Sequence, residues 1–387
     1  MELQPAEQTL QGLTRATHFG KRLIEFEIPE MSCTKRRYWN TGERQGRMKL
    51  DAELGDIDLN DVPAHAQRLE AAGFEAVWTF EAAHDPFLPL LAAAQATEKL
   101  ELGTNISVAF GRSPFAMAQT AWDLQKASGG RFHLGLGTQV RAHVERRFSM
   151  PFDHPAARVT DYIHCVRAIW NTFQTGAKPE YRGQFYQFLL MNPFFTPGPI
   201  DNPDIPIYLA GLNARMCRAA GEAADGFHVH PMHSPGYLRD VVCPAIDEGA
   251  KIRGKSAADL DLFAPVFAVI GDTEAERQKA EGPVRQQVAF YASTPNYRAL
   301  LEYHGFNDLG KELSQLMRQG DLEAMLALVP DELLAEVAVS ATQAELPGLL
   351  RTRYAGLLAR VGLYDPISVD AAMAPWSKFT AGFRAAA

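Results

Sequence analysis

LELGTNISVAFGRSPFAMAQTAWDLQKASGGRFHLGLGTQV, residues 100–140, decides the fold. It reads as strand, loop, helix, glycine turn, strand and a second glycine turn. LELGT is a short β-rich run ended by Gly103 and Thr104. Phe115, Met117, Ala118, Ala121, Trp122 and Leu124 then recur at helical spacing. Gly129 and Gly130 stop that helix. Residues 131–136 form the next strand, and Gly137-Thr138-Gln139 opens another loop. Small residues at both strand ends let a flat, phosphate-bearing ligand approach the backbone closely.

The same alternation continues on both sides. Strands are expected at 48–54, 76–80, 100–104, 132–136, 207–210, 226–230, 262–270 and 362–364. Helices are expected at 61–72, 88–97, 115–127, 159–173, 214–224, 237–249, 273–292 and 343–361. Asp61 is expected to cap the first helix, with Pro63 in its first turn. Thr273 and Glu276 have the spacing of a capping box. Two segments break the rhythm. Residues 176–206 are rich in Pro, Gly and aromatics, as lids and binding loops often are. A helical insertion is expected over 297–336, before the last unit. Strands alternating with helices mean a parallel sheet, and eight such units mean a (β/α)8 TIM barrel with an insertion after the fourth unit. An open doubly wound sheet would want a glycine fingerprint after the first strand, and Leu54-Gly55-Asp56-Ile57 does not supply one.

Residues 1–47 lack sustained periodicity and carry the basic cluster Lys35-Arg36-Arg37. They read as a poorly ordered leader, or as an arm for a partner subunit using Phe26, Tyr38 and Trp39. The barrel domain is then 48–387. The chain has 387 residues, 47% of them hydrophobic, enough for a full core. A net charge of -8 argues against nucleic acid as a partner. No apolar run approaches the roughly 20 residues a membrane span needs. The four cysteines are scattered without metal spacing, so a reducing cytoplasm is expected.

In a barrel of this kind chemistry sits where strands end. Glu81 and His84 follow the second strand. Glu81 reads as a proton donor or base, or as a structural partner for an arginine or a backbone N–H. His84 stands beside Asp85 and reads either as a catalytic histidine whose ring that carboxylate orients and charges, or as a loop-packing histidine. His143 and Glu145 follow the fourth strand, where RAHVERR is either a solvated helix face or a partner for an anion. His228, His230 and His233 follow the sixth. A histidine pair at i, i+2 is the pattern of a metal-dependent barrel hydrolase, but the further ligands such a site needs at other strand ends are missing. No metal is expected. Trp78, Trp122, Trp170 and Phe132 read as core. Phe194-Phe195 and Tyr181, Phe185 and Tyr186 read either as a pocket cover or as packing.

GFEAVWTFEAAHDPFLPL, LELGTNISVAFGRSP, SGGRFHLGLGTQV, IPIYLAGLNARMCRAAGEAADGFHVHP and APVFAVIGDTEAE together resemble the bacterial-luciferase-like superfamily. They are most similar to its branch of oxidoreductases that use coenzyme F420, a deazaflavin. The resemblance implies a hydride transfer between F420 and a small organic substrate, in a chain that forms dimers or larger oligomers. It implies a non-prolyl cis bond at Asn105–Ile106 behind the ring, next to Gly103 and Thr104. It places the cofactor phosphate against Gly137, Thr138 and Gln139, then against Ala210, Gly211, Leu212 and Asn213, and turns His230 toward the substrate. The sequence departs from sugar-phosphate-oxidising relatives: Glu81-Ala82 replaces an Asp-His pair, and Val140 replaces a Glu. The same fold hosts FMN-dependent monooxygenases, which is the alternative.

Overall fold

The computed structural model describes residues 47–386. Eight parallel strands close into a barrel: β1 (Lys49–Glu53), β2 (Ala76–Thr79), β3 (Glu101–Thr104), β4 (Phe132–Gly137), β5 (Ile207–Ala210), β6 (Gly226–His228), β7 (Asp261–Ile270) and β8 (Arg360–Leu363). Closure is set by Lys49↔Arg360 and Leu50↔Val361 between β1 and β8, and by Leu262↔Phe227 between β7 and β6. Alternate residues of such strands point inward. The interior is filled by Ala76, Trp78, Tyr208 and Phe263, each at most 1% exposed. Trp78 stacks on Phe263 at 5.1 Å and meets Tyr208 at 5.5 Å.

Charge is buried at the floor of the barrel, where the strands begin. Arg360 donates from Nε and Nη2 to the two oxygens of Asp51, at 2.6 and 3.0 Å, and from Nη1 to Glu101 at 2.5 Å. Trp78 Nε1 donates to the same Asp51 at 2.9 Å. Burial opposes a charge on Glu101, yet His133, Arg360 and Lys49 together hold it well below the usual carboxylate range. A fork-on-carboxylate pair of this kind is directional, so it fixes β1, β3 and β8 relative to one another.

The expected helices are present, with informative changes at their ends. Thr273 and Glu276 form the capping box, with Glu276 N–H donating to Thr273 Oγ1 at 3.3 Å. Asp61 stands at the N-terminus of Val62–Ala72 but makes no side-chain cap. The helix expected at 237–249 widens into a π-helical turn over Leu238–Val242 before Cys243–Ala250. Pro244 lies there, and its missing N–H cannot continue the α pattern. The helix expected at 343–361 is shorter, Leu346–Tyr354. A strand the periodicity had not shown, Ala338–Ala341, precedes it and pairs with the far half of β7. β7 is ten residues long and outreaches its barrel neighbours, which leaves an edge for this strand to cover.

Residues 176–206 hold a two-stranded hairpin, Tyr181–Arg182 against Gln187–Phe188. Asp161, on the helix Pro155–Thr175, anchors it: its carboxylate accepts from Tyr181 Oη and from the N–H groups of Phe185 and Tyr186. These aromatics therefore pack the loop. Phe194 and Phe195 are 87% and 60% exposed and pack on each other, outside the lining of the cavity at the barrel mouth. Trp78, Trp122, Trp170 and Phe132 are all core. The insertion after β7 is helical, with Arg298–Tyr303, Leu309–Gln319, Leu322–Leu328 and Asp331–Val337. The expected leader lies outside the described residues, apart from Arg47.

Candidate active site

The strand ends open into one large cavity of ≈ 1290 Å³, at the mouth of the barrel. β1 contributes Glu53. It shares the inward face with Asp51, two residues earlier, and is 6% exposed. Its Oε1 accepts from Asn105 Nδ2 at 3.0 Å, and its Oε2 has no hydrogen-bond partner. Burial dominates its chemistry. Despite the Asn105 bond, desolvation and the nearby Asp51 push the carboxyl from 4.5 up to about 8. At neutral pH this is a carboxylic acid with a proton to give.

Beside Glu53 runs the segment after β3. The Asn105–Ile106 bond is cis, where the resemblance put it. Asn105 and Ile106 both line the cavity. Gly103 and Thr104 do not. A Cβ on Gly103 would come within 2.3 Å of the Trp78 ring, so the glycine makes room for the barrel core. Thr104 clamps β3 to β4, donating to Gly135 O at 2.6 Å and accepting from Gly135 N–H at 2.9 Å.

The turns after β4 and β5 form the opposite wall. Gly137, Thr138 and Gln139 line it, as do Ala210, Gly211, Leu212 and Asn213. Gln139 adopts φ 57°, the left-handed region that non-glycine residues seldom occupy, and its Oε1 takes the N–H of Val140 at 3.0 Å. Asn213 caps the helix Ala214–Ala223 by accepting from Met216 N–H at 3.0 Å. That helix therefore begins at the cavity wall. His143 and Arg141 stand on the rim, Arg141 paired with Glu145 at 2.6 Å.

The third wall is aromatic. His230 is half-buried and lines the cavity. Burial, and His233 beside it, lower its pKa to about 3, so the ring is neutral. Its Nδ1 accepts from Met232 N–H at 3.1 Å. The proton is therefore on Nε2, which donates to Tyr297 Oη at 2.8 Å. This leaves the Tyr297 hydroxyl proton free to donate elsewhere. Tyr291 and Tyr364 share a hydrogen bond at 2.9 Å on the same wall. Neither Glu53 nor Tyr297 stood out in the sequence. The signal for Glu53 was an acid as last residue of the first barrel strand. Tyr297 lies in the insertion, where no periodic pattern marks it.

Two expected catalytic residues lie off the cavity. Glu81 Oε2 accepts from Arg112 Nη1 at 2.7 Å, Val108 N–H at 2.7 Å and Ser107 Oγ at 3.2 Å. Of its two readings, the structural one matches this geometry. His84 is exposed, 3.5 Å from Asp56, and not oriented by Asp85. Asp85 instead caps the N–H of Phe87 and pairs with Arg112. The three histidines after β6 do not converge. His228 packs edge-on against Trp78 at 4.9 Å, His230 meets Tyr297, and His233 meets Tyr354 Oη at 3.0 Å. Among the described residues no group of three metal-ligating side chains comes together.

Residues 36–360 match the family of luciferase-like monooxygenases. The chain belongs to that family. An uncharacterised protein of Mycobacterium tuberculosis is 44% identical over 315 residues, covering 81% of this chain and 92% of the relative. A putative coenzyme F420-dependent oxidoreductase of the same organism is 30% identical, covering 76% and 88%. The solved coenzyme F420-dependent tetrahydromethanopterin reductase of Methanopyrus kandleri superposes with a TM-score of 0.68 at 22% identity, over 88% of this chain and 97% of that one. The luciferase-like family includes both F420-dependent reductases and FMN monooxygenases. Nothing among these relatives supports a hydrolase. Among the described residues no helix is long and apolar enough to cross a membrane.

Proposed function

We propose that this protein is an oxidoreductase that transfers a hydride between coenzyme F420 and a small organic substrate, with Glu53 handling the accompanying proton. The observation that carries this is the Glu53 carboxyl: buried, protonated at neutral pH, one oxygen unpartnered, at the bottom of the cavity. An acid held neutral is what a two-electron reduction needs when the product must gain a proton. The relative named for coenzyme F420 supports the choice of cofactor.

The residues fit such a group. The cavity suits a flat ring and a substrate together, and the turns Gly137–Gln139 and Gly211–Asn213 offer backbone N–H groups and a helix start to a phosphate. The deazaflavin, when bound, supplies the hydride chemistry. Ile106 and Asn105 would back its ring. Glu53 would give its proton to the substrate atom made basic by hydride addition, or take it back in the reverse direction. Tyr297, held by His230, would donate its hydroxyl proton to a polar substrate atom. Phe80, Phe290 and Tyr291 on the walls keep that exchange away from bulk water.

Fluorescence titration of the purified chain with F420 and with FMN tests the reading. Saturable F420 binding is expected. FMN binding with no F420 binding would turn the reading to a flavin-dependent monooxygenase, and binding of neither would end both.

A further inference from the structure

The helical insertion holds a second hollow of ≈ 280 Å³ on the flank of the main cavity. Thr294, Pro295 and Arg298 line both, so the two adjoin there. Besides Ser293, the hollow's other polar lining is from the helix Leu309–Gln319, where the lining residues Lys311, Ser314 and Arg318 stand. At spacings of three and four these residues share one helix face. Three cations and three hydroxyl groups therefore surround a small space with no carboxylate in its lining.

The cations are short of partners. Lys311 has Asp308 at 3.1 Å, both exposed. Arg318 donates to Ser314 Oγ at 3.2 Å and forms no ion pair among the described residues. The Arg298 side chain has no hydrogen bond or ion pair with any described residue. Glu302, one turn further on, lines the main cavity without pairing with it. The less exposed Arg112, Arg158, Arg285 and Arg360 are each paired with a carboxylate. The unpaired guanidinium of Arg298 stands at the neck between the two cavities, in a chain of net charge -8.

We propose that this hollow is an oxyanion subsite, which receives a carboxylate or phosphate carried by the substrate. Arg298 presents a planar fork suited to such a group, and Lys311 and Arg318 supply charge behind it. The substrate is thereby an anion, its charged end in the hollow and its reacting carbon in the main cavity. The identity of the occupant as substrate rests on the function proposed above. The cofactor's own anionic tail has the same chemistry. It is disfavoured because the turns that suit its phosphate follow β4 and β5, whereas the hollow belongs to the segment after β7.

The test compares the full chain with Arg298→Ala/Arg318→Ala, both exposed positions, and with Arg298→Gln alone. Inorganic phosphate is titrated by calorimetry. F420 and a deazaflavin lacking the phosphate tail are titrated by fluorescence. Phosphate is expected to bind at least tenfold more weakly to the double variant, with F420 affinity within twofold of the parent. Unchanged phosphate affinity overturns the subsite. A tenfold loss for F420 but not for the tail-less deazaflavin gives the hollow to the cofactor and overturns the substrate assignment. If the parent binds no F420 and the phosphate loss persists, the oxyanion site stands and the F420 reading alone falls.

Discussion

Asp51 and Glu53 are two residues apart on one strand, point into the same barrel and are both buried, yet their chemistry is opposite. At the floor, Asp51 meets a guanidinium through both oxygens and an indole N–H besides. At the mouth, Glu53 has one amide donor and an idle oxygen. Burial alone therefore does not make a carboxyl reactive. The balance between desolvation and partners decides whether it becomes a structural charge or a stored proton. The floor is tied together by complementary charge, and the mouth is left unfinished for a ligand to complete.

The most severe way to break this comparison is to strip the floor of its partner. Arg360→Ala leaves Asp51 a buried carboxylate without its opposing charge, while the half-buried Glu101 keeps Lys49 and His133. Removing one partner of a buried ion pair costs roughly 3–5 kcal/mol. Urea unfolding should show a loss of that order, or failure to fold. Arg360→Met combined with Asp51→Asn should recover part of it, because the orphaned charge at position 51 is then gone. A loss below 1 kcal/mol in the single variant would mean that the floor is not held by charge.

At the mouth the expected effect is on chemistry. Glu53→Gln keeps the shape and the Asn105 contact but cannot cycle a proton. On the F420 function proposed above, turnover should fall on the order of 10²–10⁴-fold, with cofactor binding retained. Stability should respond in a particular direction. The folded pKa is raised, so the contribution of Glu53 is full below about 4.5 and is lost as pH rises to about 8. Thermal melts at pH 6 and pH 9 should show the parent losing more than Glu53→Gln on going alkaline. Equal losses would place the Glu53 ionisation near its ordinary value and remove the proposed acid.

Most of the barrel was legible in the sequence because its signals are local. Glycine punctuation and helical spacing within residues 100–140 mark units whose faces are buried on one side only. The turns Gly137–Gln139 and Gly211–Asn213 at the cavity wall were legible for the same reason, since they simply follow strands. What escaped depends on contacts distant in sequence. Glu81 read equally as an acid or base and as a structural partner until Arg112, 31 residues on, was seen to reach it. Gly103 looked like a ligand site until Trp78 was seen to need its space. The strand Ala338–Ala341 depends on how far β7 outreaches its neighbours, which no window of residues reports. Tyr297 gains a role only because His230, 67 positions away, meets it.

The histidines near the mouth sharpen the contrast by a smaller, graded effect. Burial lowers His228 and His230 to about 3 and His233 to about 4. A depressed histidine is neutral when folded and charges on unfolding. Its stabilising contribution is therefore full above the unfolded value near 6.5 and is lost as pH falls toward the folded value. Each should take about 1.4 kcal/mol per pH unit over that window. Urea midpoints at pH 7, 6 and 5 should fall accordingly, and His233→Gln should flatten the slope by one histidine's share. An unchanged slope in that variant would mean that His233 is solvated.

The finest test concerns the tautomer of His230. Its Nδ1 accepts a backbone N–H, so its Nε2 must donate, and Tyr297 Oη is the acceptor. Tyr297→Phe removes the acceptor and leaves a buried N–H without a partner. One orphaned donor costs about 1–3 kcal/mol. His230→Gln can still donate toward the phenol, so it should cost less than Tyr297→Phe. If instead the phenol donated to His230, the order would reverse, because Phe would leave only a weakly demanding acceptor behind. Nitrogen-15 shifts of the His230 ring distinguish the two directly: a protonated Nε2 with a bare Nδ1 is expected at neutral pH, unchanged down to pH 5. A protonated Nδ1 would exclude the Met232 bond and, with it, the free hydroxyl proton that Tyr297 brings to the mouth.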